Sequence, residues 1–124
     1  MTVVTTIDVY AMPPEEYRAI LNHMGVETRP AAGLFLHLTS KTDFGFRVVE
    51  IWDRKEGFDE FLTKRLAPAA QALGIDRKME ISVTPLHNFF GPRLQDLQGL
   101  IASLPGAPIP SASRAENFRA DPRN

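Results

Sequence analysis

Residues 46–66 read FRVVEIWDRKEGFDEFLTKRL, and this run decides the fold because its hydrophobic period changes inside it. Phe46 to Trp52 is dominated by β-branched and aromatic residues, as a strand requires. Beyond Asp53, the apolar positions Phe58, Phe61, Leu62 and Leu66 recur at helical spacing and form one stripe, which continues to Ala69 and Leu73. Asp53 with Glu56 gives this helix a capping-box-like start. Pro68 falls inside the stripe and predicts a helix that is kinked or divided in two.

Working outward, Leu34 to Thr39 reads as another strand, and Thr42-Asp43-Phe44-Gly45 supplies turn residues that join it to the first as a hairpin. Val3 to Tyr10 is a further β-branched run. Pro13, Pro14, Glu15 and Glu16 then suit a helix first turn, where proline needs no N–H partner and acids meet the positive end of the dipole. Tyr17, Ile20, Leu21 and Met24 form the apolar stripe of that helix, Gly25 is placed to stop it, and His23 in its last turn is structural. Gly74 ends the second helix, and Met79 to Leu86 reads as the fourth strand. The order strand–helix–strand–strand–helix–strand defines an α+β, ferredoxin-like βαββαβ domain: an antiparallel four-stranded sheet with two helices on one face. It spans residues 1–90. Residues 91–104 form a short amphipathic helix, and 105–124 are expected to be a flexible or dimer-embracing tail, since their Pro, Ala, Ser and Arg bury too little apolar surface to offset ordering.

Composition narrows the function classes. The 124 residues carry a net charge of -1 and 23% charged residues, which offers no electrostatic footprint for nucleic acid or an anionic membrane. With no cysteine, thiolate metal sites and a Cys nucleophile are excluded. No apolar run approaches the ~20 residues of a membrane span, and the N-terminus lacks the pattern of a signal peptide, so a cytoplasmic protein is expected.

Alternation along the strands separates two faces. Ile7, Val9, Leu34, Leu36, Leu38, Val49, Ile51, Ile81, Val83 and Pro85 make an aliphatic set expected to receive the helices. Thr6, Asp8, Tyr10, Phe35, His37, Thr39, Val48, Glu50, Trp52, Ser82, Thr84 and Leu86 make a mixed set, whose exposed aromatics would call for a partner. Packing this face on a second copy about a two-fold would give a homodimer.

The run Val48-Val49-Glu50-Ile51-Trp52-Asp53, followed by Glu56, Phe58, Phe61 and Leu62, with the His87-Asn88 ending of the fourth strand, resembles the antibiotic biosynthesis monooxygenase-like, dimeric α/β-barrel proteins. The resemblance covers roughly residues 1 to 90. It implies a dimer with a pocket between sheet and helices in each protomer. It also implies a chemistry drawn from cofactor-independent oxygenases, haem-degrading enzymes, cyclases and isomerases. The haem degraders use an Asn in strand one, a Trp ending strand three and a His in helix two. Trp52 matches the second, but Thr6 and the Ala69-Ala70 region replace the others, so haem degradation is set aside.

His37 and Glu50 are the candidate catalytic pair, neighbours by approximate hairpin register. The imidazole would move a proton and the carboxylate would fix its tautomer, although a purely structural pair is the competing reading. Asp8, Tyr10, Phe35, Trp52 and His87 are the candidate substrate-binding residues. No metal site is expected, because the histidines and acids lack ligand spacing such as HxH or HExxH; phosphate-binding glycine loops and nucleophile elbows are also absent. The resemblance implies, and these residues permit, a small-molecule enzyme without a tightly bound cofactor, of monooxygenase, isomerase or cyclase type. Its substrate would be apolar, aromatic or polyketide-like. A non-catalytic ligand-binding or stress-associated dimer is the alternative, and an interaction module acting through the tail is a third.

Overall fold

The computed structural model describes residues 1–108; the expected tail from 109 onward lies outside them. Two compact units divide the chain after Phe90. The first contains strands β1 (Val3–Tyr10), β2 (Leu34–Lys41), β3 (Gly45–Trp52) and β4 (Met79–Pro85), and helices α1 (Pro14–Met24), α2 (Lys55–Phe61) and α3 (Ala67–Leu73). The sheet has the order β2-β3-β1-β4 with every pair antiparallel. This is the ferredoxin-like arrangement that the element order predicts.

α1 begins where its prolines dictate. Pro13 is the N-cap, Pro14 opens the first turn with Glu15 and Glu16, and Gly25 closes the helix in the left-handed conformation at φ 67°. Its stripe delivers Ile20, Leu21 and Met24 to the interior. The second helical segment differs from expectation in two respects. Arg54, not Asp53, is its N-cap, and no side chain caps it. Pro68 divides it through a π-helical turn at Leu62–Leu66, where the Ala67 N–H donates to the Leu62 carbonyl. Proline lacks an N–H and its ring crowds the carbonyl four residues back, so a wider turn there relieves both faults.

Gly45 sets the hairpin against β1. Its φ of 150° lies outside the range of L side chains, and a Cβ there would run into the Val9 carbonyl oxygen. The core then fills between β1, β3 and the helices with Val3, Ile7, Val9, Phe46, Val48, Trp52, Ile20, Met24, Phe58 and Ala69.

This core corrects the assignment of faces. Register pairs Val3 with Trp52, Thr5 with Glu50 and Ile7 with Val48, and these six residues are all buried. The side carrying Val48, Glu50 and Trp52 therefore faces the helices, together with Ile7 and Val9. Leu36, Leu38, Val49 and Ile51 lie on the opposite, outer side. The β2–β3 register shifts between Leu34 and Leu36. The irregularity leaves Phe35 without a pairing position, and Phe35 is 67% exposed. Past it, His37 pairs with Glu50 and shares its inward face. Asp8 and Tyr10 stand on the outer side. Asp8 pairs with Arg47 through two hydrogen bonds of 2.7 and 3.0 Å, and the Tyr10 hydroxyl donates to Glu80 at 2.8 Å.

The second unit holds α4 (Leu94–Gln98) and a 3-10 turn at Ile101–Ser103, shorter than the continuous helix its pattern predicts because the α-helix stops at Gly99. Leu94, Leu97, Leu100, Ile101 and Leu104 are all exposed.

Glu16 at the start of α1 takes two hydrogen bonds from Arg77, at 2.9 and 2.7 Å, tying the helix to the segment before β4. The guanidinium, chiefly through this hydrogen bonding, holds the Glu16 carboxyl below the usual carboxylate range. A folded-state pKa lowered in this way stabilises the protein above the unfolded value, and the benefit is lost as pH falls through the folded one. Glu16→Gln should therefore unfold at lower urea than the native chain at neutral pH, and the gap should close on acidification below the ordinary carboxylate range. A gap that holds constant or widens in acid would count against the linkage.

Candidate functional site

Between the sheet and the helical layer lies a cleft of about 770 Å³. β1 and β3 give it Ile7, Val9 and Val48, and α1 gives Tyr17, Ile20, Leu21 and Met24. The π turn and α3 supply Leu62, Thr63, Leu66, Ala67 and Ala70. Small residues on α3 and the widened turn leave the space open. Met79 and Ile81 of edge strand β4 line the same cleft at 43% and 42% exposure, so it opens to solvent on that side.

Thr63, Gln71, Asp76 and Arg77 also line the cleft, and a hydrogen-bonded polar cluster is built around His37 and Glu50. His37 Nδ1 lies 2.7 Å from Glu50 Oε2, and Glu50 Oε1 accepts the Trp52 indole N–H at 2.9 Å. With Glu50 as a carboxylate, which only accepts, and His37 as a neutral imidazole, Nδ1 donates to Glu50 and Nε2 keeps the lone pair. Nε2 in turn lies 2.9 Å from the Tyr17 hydroxyl and 2.8 Å from the Thr39 hydroxyl, which are themselves 2.8 Å apart. The Glu50 side chain is 4% exposed and that of His37 30%, so the acid is sealed while the imidazole reaches the cleft. Burial is the main cause that pushes the Tyr17 phenol above its ordinary pKa, so it remains a neutral donor. His37, Glu50 and Tyr17 all line the cleft.

The predicted site residues thus separate. His37 and Glu50 come together. Trp52 is sealed at 1% exposure against Phe58 and Phe61, with ring centroids 5.9 and 5.6 Å away, and serves as the hydrogen-bond donor behind Glu50. It borders a second recess of about 460 Å³, of mixed apolar and charged lining, and does not line the larger cleft. Asp8 and Tyr10 stand on the outer face of the sheet, and Phe35 and His87 are exposed and do not line the cleft. Tyr17 is the residue that sequence reasoning missed: it reads as one more member of the α1 stripe. The available signal was its hydroxyl, which a buried tyrosine must satisfy with a partner. Among the described residues no group of three His, Asp or Glu side chains gathers to hold a metal ion.

The sheet order and the cleft define an α+β protein of the ferredoxin-like class whose interior space lies between sheet and helices. Solved structures share this fold. A candidate antibiotic biosynthesis monooxygenase from Deinococcus radiodurans superposes with a TM-score of 0.54 at 21% identity, covering 73% of this chain and 97% of that one. Rv0793 from Mycobacterium tuberculosis gives 0.54 at 17% identity, covering 73% and 100%. SnoaB, a cofactor-independent oxygenase from Streptomyces nogalater, gives 0.50 at 17% identity, covering 71% and 93%. The chain therefore shares the fold of these structures. No protein-family model matches the chain, and no curated protein does.

Proposed function

We propose that the chain is a small-molecule enzyme that removes a proton from an apolar, aromatic or polyketide-like substrate without a tightly bound cofactor. The 2.7 Å His37–Glu50 pair opening into a cleft lined mostly by apolar side chains carries this reading. His37 is the base, Glu50 fixes its tautomer and balances the imidazolium, and Trp52 fixes Glu50. The carbanion formed, delocalised as an enolate, can react directly with dioxygen, isomerise or close a ring. Oxygenation is favoured by the shared fold with a cofactor-independent oxygenase. In the oxygen case the enolate carbon adds O2 to give a peroxide anion, which takes the proton back from the imidazolium to become a hydroperoxide and then loses water to leave a quinone. Asp8, Tyr10, Phe35 and His87 have no part in this reading because they lie away from the cleft. The outer face, where Leu38 is 46% exposed and Leu36, Val49 and Ile51 are half-buried, supports a homodimer formed through the sheet. Among the described residues no helix is long and apolar enough to cross a membrane.

Anthrone, a flat tricyclic ketone with an acidic methylene, tests the reading. With the native chain, oxygen uptake and anthraquinone formation should exceed the buffer rate. Ala70→Phe, which fills the cleft from α3, should return the rate to that of buffer with the fold intact by circular dichroism. A native rate equal to buffer, or an Ala70→Phe rate equal to native, would sink it.

A further inference from the structure

His37 lines the cleft, but both of its ring nitrogens already have hydrogen-bond partners. His37 Nδ1 is committed to Glu50, and Nε2 is covered by two hydroxyls at 2.9 and 2.8 Å. A neutral imidazole has one lone pair on that nitrogen, so a ligand proton must either displace a hydroxyl or pass through one. Of the two hydroxyls, only that of Tyr17 belongs to a residue lining the cleft. Thr39 sits behind it on β2, within 2.8 Å of the phenol oxygen.

We propose that Tyr17 is the catalytic residue that touches the substrate, and that it relays the proton to His37. The ligand X–H bond breaks as a new O–H bond forms on the phenol oxygen. The phenol's own O–H bond breaks as the Nε2–H bond forms. The electron pair stays on the ligand as an enolate or phenolate, and the imidazolium is balanced by the Glu50 carboxylate. The renewed phenol then donates a hydrogen bond to the anionic oxygen, so one group both accepts the proton and stabilises the charge left behind. The site therefore selects ligands with an enolisable ketone or an acidic hydroxyl at the end that meets α1. A phenol kept neutral by burial suits a relay better than a standing phenolate would. This inference rests on the proton-abstraction reading above.

The test uses 2-hydroxyanthraquinone, whose colour reports ionisation of its hydroxyl, and anthraquinone, which has the same rings without it. Both are titrated at a pH where the free dye is un-ionised. The native chain should show the anion band at saturation. Tyr17→Phe keeps the ring on Phe46, from which it stands 5.3 Å centroid to centroid. It should bind anthraquinone as before and lower the anion band at saturation by about tenfold or more. Thr39→Val should retain the band. His37→Gln should lose it. A native-like band in Tyr17→Phe, or its loss in Thr39→Val alone, would overturn the relay; loss in His37→Gln would then leave the His37 base standing. A native-like band in His37→Gln, or a native chain that binds without the band or fails to bind either compound, would overturn both readings.

Discussion

Replacing Trp52 by alanine is expected to lower the unfolding free energy by about 3–5 kcal/mol, the range for truncating a buried aromatic. Trp52 is 1% exposed, and its indole packs edge-on to Phe58 and tilted on Phe61. It lies opposite both Val3 and Leu34, so its loss opens a void under three strands at once. A second effect adds to the void. Glu50 Oε1 has the indole N–H as its donor at 2.9 Å, and a carboxylate oxygen left unpaired in the interior is itself destabilising by about 1–3 kcal/mol or more. Trp52→Phe separates the two contributions, since it keeps most of the packing and removes only the donor. Against a total stability of about 5–15 kcal/mol for a domain, the alanine variant should sit near the threshold of folding at physiological temperature. Urea denaturation measures it. A loss below about 1 kcal/mol would place Trp52 outside the core, contrary to the packing described.

How much of this was legible depended on whether the signal was local. The α1 boundaries follow from Pro13, Pro14 and Gly25, whose backbone preferences act within a few residues. The division at Pro68 was legible in the same way, although the π form of the turn was not. The faces of the sheet were less accessible, for two physical reasons. Aliphatic character alone grouped Ile7 and Val9 with Val49 and Ile51, whereas hydrogen-bond register sets Ile7 opposite Val48. In β2, strict alternation from Leu34 would turn Leu34 and His37 to opposite faces. The irregularity after Leu34 adds one residue, so both lie on the helix side. His37 and Glu50 could be paired because a hairpin is short. Tyr17 could not be joined to them, because its contact exists only after α1, twenty residues earlier in the chain, docks on the sheet.

His37→Gln is expected to reduce anthrone turnover by about 10²–10⁴-fold, the contribution of a positioned general base. The substitution is chosen so that structure and chemistry part. A glutamine amide can still donate to Glu50 and still accept from the Tyr17 or Thr39 hydroxyl, so the buried carboxylate keeps a partner. It cannot take up a proton near neutral pH. Stability should therefore change little, while the rate falls at saturating substrate. Removing the acid instead, by Glu50→Leu, would leave the imidazole to choose its own tautomer and put Nδ1 and the indole N–H without an acceptor, and there both rate and stability should fall. The comparison between the two variants decides the role of the pair. If His37→Gln turns over anthrone at the native rate but lowers the melting temperature, the imidazole acts as a strut between β2 and β3. If its rate collapses while its unfolding curve overlays the native one, the 2.7 Å contact with Glu50 is the orienting half of a base.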